Sequence, residues 1–256
     1  MVVTLQRYRI KALKCQLIVA MSLFLGAQAA LADGVSIFAA ASLREATQEL
    51  GVQYFDQTGE SPLQVFAASS AIARQAANGA PADVLLLADQ DWADWLVGQG
   101  HGVDVKPFAG NQLVLVSSDE ITLTDINELP AALGRDVLAM AQVDTVPAGR
   151  YGKSALEAAG LWDVLSPQIV QAANVRAALR FVERAEAPFG IAYASDLTAL
   201  PELNEVYRFD PDSHVPIVYV ALQVTQEGAG FMTYLQSDAA QEILQRWGFA
   251  PVDNFQ

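Results

Sequence analysis

The sequence predicts an α/β protein with largely parallel sheets. From Val35 onward, short apolar runs typical of strands alternate with amphipathic helical stretches. Two of these runs lead into nearly identical turns, FAAASLREA (38–46) and FAASSAIAR (66–74). With 52% hydrophobic residues among 256, the chain can bury one large core or two smaller lobes.

Eight runs are predicted to be strands: 35–39, 63–67, 84–87, 113–117, 137–139, 190–193, 206–209 and 217–223. Helical spacing of apolar residues defines two buried faces, formed by Leu43, Ala46, Leu50 and Tyr54 and by Val175, Ala178, Leu179 and Val182. The segment AAQEILQRWG is predicted to be a helix that ends at Gly248, where glycine can adopt the left-handed cap conformation. Clusters of Pro, Gly and Asp near 107–111 and 210–216 are candidate crossings between two lobes.

The first 32 residues have the order of a secretory signal peptide. An apolar run (17–25) leads into Ala30-Leu31-Ala32 and is preceded by four basic residues, Arg7, Arg9, Lys11 and Lys14. This run is too short to span a bilayer comfortably, so export with cleavage after Ala32 is preferred to a membrane anchor. Cys15 leaves with the signal, and the mature chain then has no cysteine for disulfides or thiol chemistry.

The charge of the chain is strongly negative. The formal net charge is -14, and removal of four basic and no acidic residues with the signal leaves -18, from 11 Lys and Arg against 29 Asp and Glu. Such a surface argues against nucleic acid or an anionic membrane as partners. An anionic ligand would have to be attracted locally, against the field of the whole protein.

The paired turns place Ser42 and Ser69 where strands end and helices begin. Ligands of parallel α/β sheets bind beyond the carboxyl ends of the strands, and the free amides of helix starts favour anions. Each serine can offer an amide and a hydroxyl donor, and the preceding alanines allow close approach. The alternative is that both serines are ordinary N-caps.

The middle of the chain supplies two more helix starts, in VPAGRYGKSALEAAG (146–160) and ANVRAALRFVER (173–184). Asn174 is a plausible N-cap that would aim the amide of Val175 outward, and Pro147 with Gly149 would shape a turn exposing the amide of Ala148. Four helix starts facing one cleft would surround a small anion without a lysine.

Other chemistries have little support in the sequence. A Ser-His hydrolase would have to use His101 or His214, neither of which lies beside a serine motif, and no G-x-S-x-G elbow or phosphate-binding glycine loop occurs. FDPDSH (209–214) reads as a turn rather than a metal site, and DQDWADWL as a helix start with aromatic packing. An exported α/β hydrolase using Ser42 or Ser69 stays open as an alternative.

Several stretches together resemble the periplasmic molybdate-binding proteins of bacterial molybdate ABC transporters. They are VSIFAAASL, FAASSAIARQAANGAPADVLLLADQ, VPAGRYGKSAL, LSPQIVQAANVRAAL, VERAEAPFGIAYASD and AAQEILQRWGF, and they run in family order from about residue 35 to 249. The combination is highly specific, although AAASL alone would be weak.

The resemblance implies a two-lobed type II periplasmic binding protein fold, in which each lobe is a mostly parallel sheet flanked by helices and two crossing strands join the lobes. Its boundaries would be 1–32 for the signal peptide, 33–110 with 217–256 for the first lobe, and 111–216 for the second. The family's oxyanion donors correspond to Ser42, Ser69, Ala148, Val175 and Tyr193. Only the resemblance adds Tyr193, as a phenol donor.

One departure from the family follows Ser69. Ser70 and Ala71 stand where relatives often have a longer serine run or threonine, which puts only a secondary contact in doubt. Arg44, Arg150 and Arg176 lie near the helix starts and could steer anions, but they rank below the amides as ligand donors.

The implied function is a periplasmic receptor that captures molybdate, and also tungstate, and delivers it to a membrane permease of an ABC transporter. We expect a monomer that is not an enzyme, has no cofactor, no direct metal ligands and no nucleic-acid partner. A site made only of donors should reject protonated phosphate, whereas sulfate would have to be rejected by pocket size. Binding of sulfate, another oxyanion or a small carboxylate stays open.

Overall fold

The computed structural model describes residues 34–252, which contain two five-stranded sheets flanked by helices. The predicted signal peptide and Cys15 lie outside the described residues. The strands are β1 (Ser36–Ala40), β2 (Leu63–Ala67), β3 (Val84–Leu87), β4 (Asp104–Asn111), β5 (Leu113–Ser117), β6 (Leu138–Ala141), β7 (Ile169–Ala172), β8 (Phe189–Tyr193), β9 (Asn204–Arg208) and β10 (Ile217–Gln223).

The two sheets have equivalent strand orders, β2-β1-β3-β10-β4 and β7-β6-β8-β5-β9. In the first sheet β1 is parallel to β2 and β3, and β10 is antiparallel to both β3 and β4, so only β10 runs against the other four strands. In the second sheet β5 has the same place and is antiparallel to β8 and β9. Each sheet is therefore mostly parallel in strand direction, as predicted.

The chain passes between the sheets twice, from β4 to β5 and from β9 to β10. These passages coincide with the Pro, Gly and Asp clusters that the sequence offered as candidate crossings, and residues 107–111 form the end of strand β4. Four predicted strands have the observed bounds, and four others are displaced by one or two residues. The predicted set lacks β4 and β7, which are both edge strands.

Ten α-helices lie in the described residues: α1 (Arg44–Thr58), α2 (Ser69–Ala77), α3 (Gln90–Gly98), α4 (Leu129–Leu133), α5 (Pro147–Ala158), α6 (Trp162–Leu165), α7 (Val175–Glu183), α8 (Ala194–Ala199), α9 (Ala229–Leu235) and α10 (Asp238–Arg246). The predicted apolar faces of α1 and α7 are buried throughout. Helix α10 is followed by Gly248 in the left-handed conformation, with φ of 82°, which confirms the predicted cap.

Alternating side chains of the first sheet enter two core layers. Val84 and Leu86 of β3 pack in the layer that contains α1, α9 and α10, whereas Leu85 and Leu87 pack in the layer that contains α2 and α3. Because both faces of this sheet are covered, β3 is a continuous apolar run. Among residues 34–252, no helix is both long enough and apolar enough to cross a membrane.

Candidate functional site

The carboxyl ends of strands from both sheets meet at one small cavity. All five predicted donors line it: Ser42, Ser69, Ala148, Val175 and Tyr193. Its remaining lining consists of backbone and small or neutral side chains: Ala40, Ala41, Ala68, Ala88, Val146, Pro147 and Asn174. The cavity has a volume of about 10 Å³. The cavity therefore suits a small ligand, and its lining contains donors but no carboxylate.

Ser42 and Ser69 do not cap helices. Ser42 lies in the short 3-10 turn Ala41–Leu43 and Ser69 is the first residue of α2, and neither helix start has a side-chain cap hydrogen bond. The Ser69 Oγ instead accepts a hydrogen bond from the backbone N of Ala88 at 2.9 Å. Because this bond uses only an oxygen lone pair, the Ser69 hydroxyl hydrogen remains available for a second hydrogen bond.

Ala148 is the second residue of α5, after Pro147 at the first position. Its amide precedes the first intrahelical hydrogen bonds, so it is a free donor at the positive end of the helix dipole. The sequence predicted a turn shaped by Pro147 and Gly149. In the structure both residues lie in the first turn of the helix instead. A Cβ at Gly149 would lie 2.4 Å from the carbonyl oxygens of Ala141 and Gln142, so glycine permits close packing against the end of β6.

Val175 is the first residue of α7, and Asn174 is its N-cap, as predicted. The Asn174 side chain accepts from the backbone N of Ala177 at 2.9 Å. That bond satisfies the Ala177 amide, one of the free amides of the first turn. The Asn174 side chain does not bond the amide of Val175, a residue that lines the cavity.

Tyr193 ends β8 and is only 1% exposed. Its hydroxyl has no hydrogen-bond partner among residues 34–252, although the phenol lines the cavity. A buried hydroxyl without a partner costs free energy unless a ligand supplies one. Burial raises the pKa of Tyr193 well above its ordinary value, so the phenol keeps its proton and can act as a donor.

An ion pair bridges the two sheets on one side of the cavity. Arg150 of α5 lies 3.1 Å from the Oδ2 of Asp89, the N-cap of α3, and also contacts Asp91. Beside this pair, the Trp92 Nε1 donates to the backbone oxygen of Thr145 at 3.0 Å. The predicted helix start with aromatic packing is present, but its contacts with the second sheet were missed.

Arg176 makes a second bridge. Its Nη2 donates to the Oε2 of Glu45 at 2.6 Å, and its Nε lies 2.7 Å from the Oδ1 of Asp196. The contact between Arg176 Nε and Asp196 Oδ1 is an ion pair, but its geometry is not that of a hydrogen bond. The third arginine, Arg44, lies over the ring of Phe66, with 4.5 Å from its Cζ to the ring centroid. None of the three arginines lines the cavity.

Asp89 should make stability depend on pH. Burial raises the pKa of Asp89 to about 6. The hydrogen bond from the Trp92 amide and the charge of Arg150 lower this pKa, but the effect of burial is larger. The folded protein then binds this proton more readily than the unfolded chain between about pH 4 and 6. The contribution of Asp89 to stability is therefore largest below that window and is lost as the pH rises through it. At about 1.4 kcal/mol per pKa unit, the rise from 3.8 to about 6 corresponds to about 3 kcal/mol.

Asp89→Asn keeps an acceptor for the Trp92 amide and removes the titration. We therefore expect a smaller gain in unfolding free energy between pH 7 and pH 5 in this variant, measured by urea unfolding. Asp94→Asn changes the net charge equally at an exposed position and is the control. If the unfolding free energy changed equally with pH in the Asp89→Asn variant and in the unaltered protein, the prediction would be contradicted.

Neither histidine lines the cavity, so the serines there have no adjacent imidazole base. His214 instead packs against Tyr151, with 5.7 Å between ring centroids. Among residues 34–252, no three His, Cys, Asp or Glu side chains are grouped to hold a metal ion. A larger space of about 560 Å³ lies beside Arg150 and Tyr151, but none of the five predicted donors lines it.

Residues 35–250 match the family described as bacterial extracellular solute-binding protein. The chain is 39% identical over 234 residues to the molybdate-binding protein ModA of Escherichia coli (strain K12), covering 86% of this chain and 91% of that protein. It is 35% identical over 237 residues to the protein of the same name from Haemophilus influenzae, covering 88% and 93%.

The fold is similar to that of the Azotobacter vinelandii periplasmic molybdate-binding protein. The TM-score is 0.77 at 23% identity, over 84% of this chain and 98% of that one. This likeness confirms the predicted two-lobed fold, and the sequence relatives confirm the resemblance stated from the motifs. The chain therefore belongs to the family of bacterial extracellular solute-binding proteins.

Proposed function

We propose that this protein is an exported receptor that binds molybdate in the cavity between the two sheets. The observation that carries the proposal is the lining of that cavity, where five predicted donors from both sheets meet and no charged side chain is present. The names of the sequence relatives support molybdate as the ligand. On this proposal Ser42, Ser69, Ala148, Val175 and Tyr193 hold the anion, and the metal atom has no direct protein ligand.

Neutral donors are sufficient for such a site. A hydrogen bond to a charged partner contributes roughly 1.5–3 kcal/mol, so several of them exceed an association cost of several kcal/mol. Fixed amides and hydroxyls need little reorganisation when the anion arrives. Local dipoles thus allow an anion to bind to a protein whose exported form carries a net charge of -18, from 11 basic and 29 acidic residues.

The lining also determines which anions fit. Molybdate and tungstate carry no proton at neutral pH and need only donors, so both should bind. Hydrogen phosphate would bring a proton to a cavity without a carboxylate acceptor. Sulfate has the charge of molybdate but is smaller, and some of its hydrogen bonds would be too long.

We further propose that residues 33–110 with 217–256 and residues 111–216 are two lobes that close on the anion. The ion pairs of Arg150 and Arg176 would stabilise the closed form. A membrane permease would bind the receptor in this closed form. The family, described as extracellular solute-binding, and the predicted signal peptide with cleavage after Ala32 both support a periplasmic location. A monomer is sufficient for this role.

Thermal unfolding of the dialysed protein with each anion in turn tests the proposal. A ligand that binds only the folded state at 100 times its Kd adds about 2.7 kcal/mol of stability. Molybdate and tungstate should raise Tm, while sulfate and phosphate at equal concentration should not. A shift led by sulfate would overturn the choice of ligand, and no shift with any anion would overturn the receptor function.

A further inference from the structure

A chain of buried polar side chains lies behind Ser42. The Ser42 Oγ is 2.9 Å from the Oη of Tyr219 on β10. The Nδ2 of Asn111, the last residue of β4, lies 3.4 Å from the same phenol oxygen and 2.8 Å from the Oγ of Ser195 on α8. All four residues are at most 4% exposed. The chain therefore extends from the cavity to the place where the polypeptide passes between the sheets.

The orientation of the Asn111 amide is fixed by backbone donors. Its Oδ1 accepts from the backbone N of Gln112 at 2.9 Å and from that of Ser195 at 3.4 Å. Turning the amide over would place its NH₂ group against two N–H groups, which cannot accept. The NH₂ group must therefore face Tyr219, and it can only donate.

This orientation fixes the direction of the next two hydrogen bonds. The Tyr219 oxygen accepts from Asn111, and its single hydrogen then has one acceptor within reach among the described residues, the Ser42 Oγ. If Ser42 donated instead, the buried Tyr219 hydrogen would have no partner, which is costly. The Ser42 oxygen therefore accepts, and its own hydrogen points away from Tyr219.

We propose that Tyr219, oriented by Asn111, is a specificity-determining residue that holds the Ser42 hydroxyl as a donor toward the cavity. This inference rests on the proposed oxyanion site. Ser69 is held in the same sense by the Ala88 amide, so in both serines one lone pair is already used and the hydroxyl hydrogen is left for the cavity. An unprotonated oxyanion is then offered a hydrogen by each serine, whereas an oxyanion that carries a proton must compete for serine oxygens that already accept a hydrogen bond.

The test is a double-mutant cycle with molybdate as the probe, measured by calorimetry on the unaltered protein and on the Tyr219→Phe, Ser42→Ala and double variants. In Tyr219→Phe the Ser42 hydroxyl is no longer held toward the anion. If this costs the net value of one hydrogen bond, the molybdate Kd should be about tenfold higher. Because Tyr219 acts through Ser42, adding Tyr219→Phe to Ser42→Ala should cause no further loss beyond about twofold. Additive losses, or an unchanged Kd in Tyr219→Phe, would overturn the inference.

A second readout separates polarity from packing. Sulfate and hydrogen phosphate are similar in size but differ by a proton. The assay is displacement of bound molybdate by each anion at millimolar concentration. We expect the preference for sulfate over hydrogen phosphate to be smaller in Tyr219→Phe than in the unaltered protein. Tyr234→Phe removes a tyrosine hydroxyl that bonds Gln53 and is the control. An unchanged preference would overturn the role of Tyr219 alone, whereas no molybdate binding by the unaltered protein would overturn the proposed function as well.

Discussion

Replacing Ser42 and Ser69 together by alanine should weaken molybdate binding by about 3–6 kcal/mol, because each hydroxyl bond to a charged ligand contributes about 1.5–3 kcal/mol. This corresponds to roughly a hundredfold to ten-thousandfold increase in Kd. The structure supports a ligand role because both side chains line the cavity and neither caps a helix. Calorimetric titration of the single and double variants with molybdate measures the loss.

Ser70→Ala is the matched control for this prediction. Ser70 is a buried serine directly after Ser69 but does not line the cavity, so its replacement should leave the molybdate Kd unchanged. Ser69→Ala should also lower Tm somewhat, since the Ala88 amide loses its acceptor. Lower Tm with unchanged affinity in both serine variants would assign them a structural role only.

Arg176→Leu should lower the free energy of unfolding by about 3–5 kcal/mol, the usual cost of removing one partner of a buried ion pair. Asp196 is only 1% exposed and would lose its cation, and Glu45 would lose its partner on helix α7. Molybdate affinity should fall too, because Arg176 follows Val175 directly and Asp196 accepts from the backbone N of Tyr193 at 3.0 Å.

The pH dependence of this loss distinguishes charge from packing. Burial raises the pKa of Asp196 to about 6 even with Arg176 present. Without the cation, Asp196 should be neutral at pH 5 and costly to charge at pH 8, so the loss should be smaller at pH 5. Arg246→Leu breaks an exposed pair with Glu49 and should cost at most about 1 kcal/mol. Similar losses in both variants, independent of pH, would contradict the prediction.

The central strands were predictable from sequence because burial on both faces makes them continuous apolar runs. The two missing strands are both at sheet edges, where this signal is weak. β4 contains Asp104, Lys106 and Pro107 and is half exposed over its first residues. β7 has four residues and only its last, Ala172, is buried. An edge strand that meets solvent on one side needs no apolar pattern and tolerates proline.

Four of the predicted donors could be found from sequence because each lies at the start of a helix that follows a strand, whereas Tyr193 was added only by the resemblance to the family. The groups behind these donors could not be found in this way. Tyr219 is 177 positions from Ser42, and Asp89 is 61 positions from Arg150. Such contacts depend on how the sheets face each other, which local patterns do not encode. The three arginines were noted for their position, but their carboxylate and aromatic partners could not be assigned.

The shared strand order of the two sheets has a consequence for the shape of the ligand. Ser42 follows β1 as Ala148 follows β6, and Ser69 follows β2 as Val175 follows β7. The cavity is thus assembled from two half-sites of one plan. A tetrahedron divides about a twofold axis into two equal pairs of vertices, which matches these two pairs of residues. Tyr193 at the end of β8 adds a fifth donor from the second sheet. On the proposed function, separation of the half-sites leaves the anion with only part of its donors on either side, which favours its release.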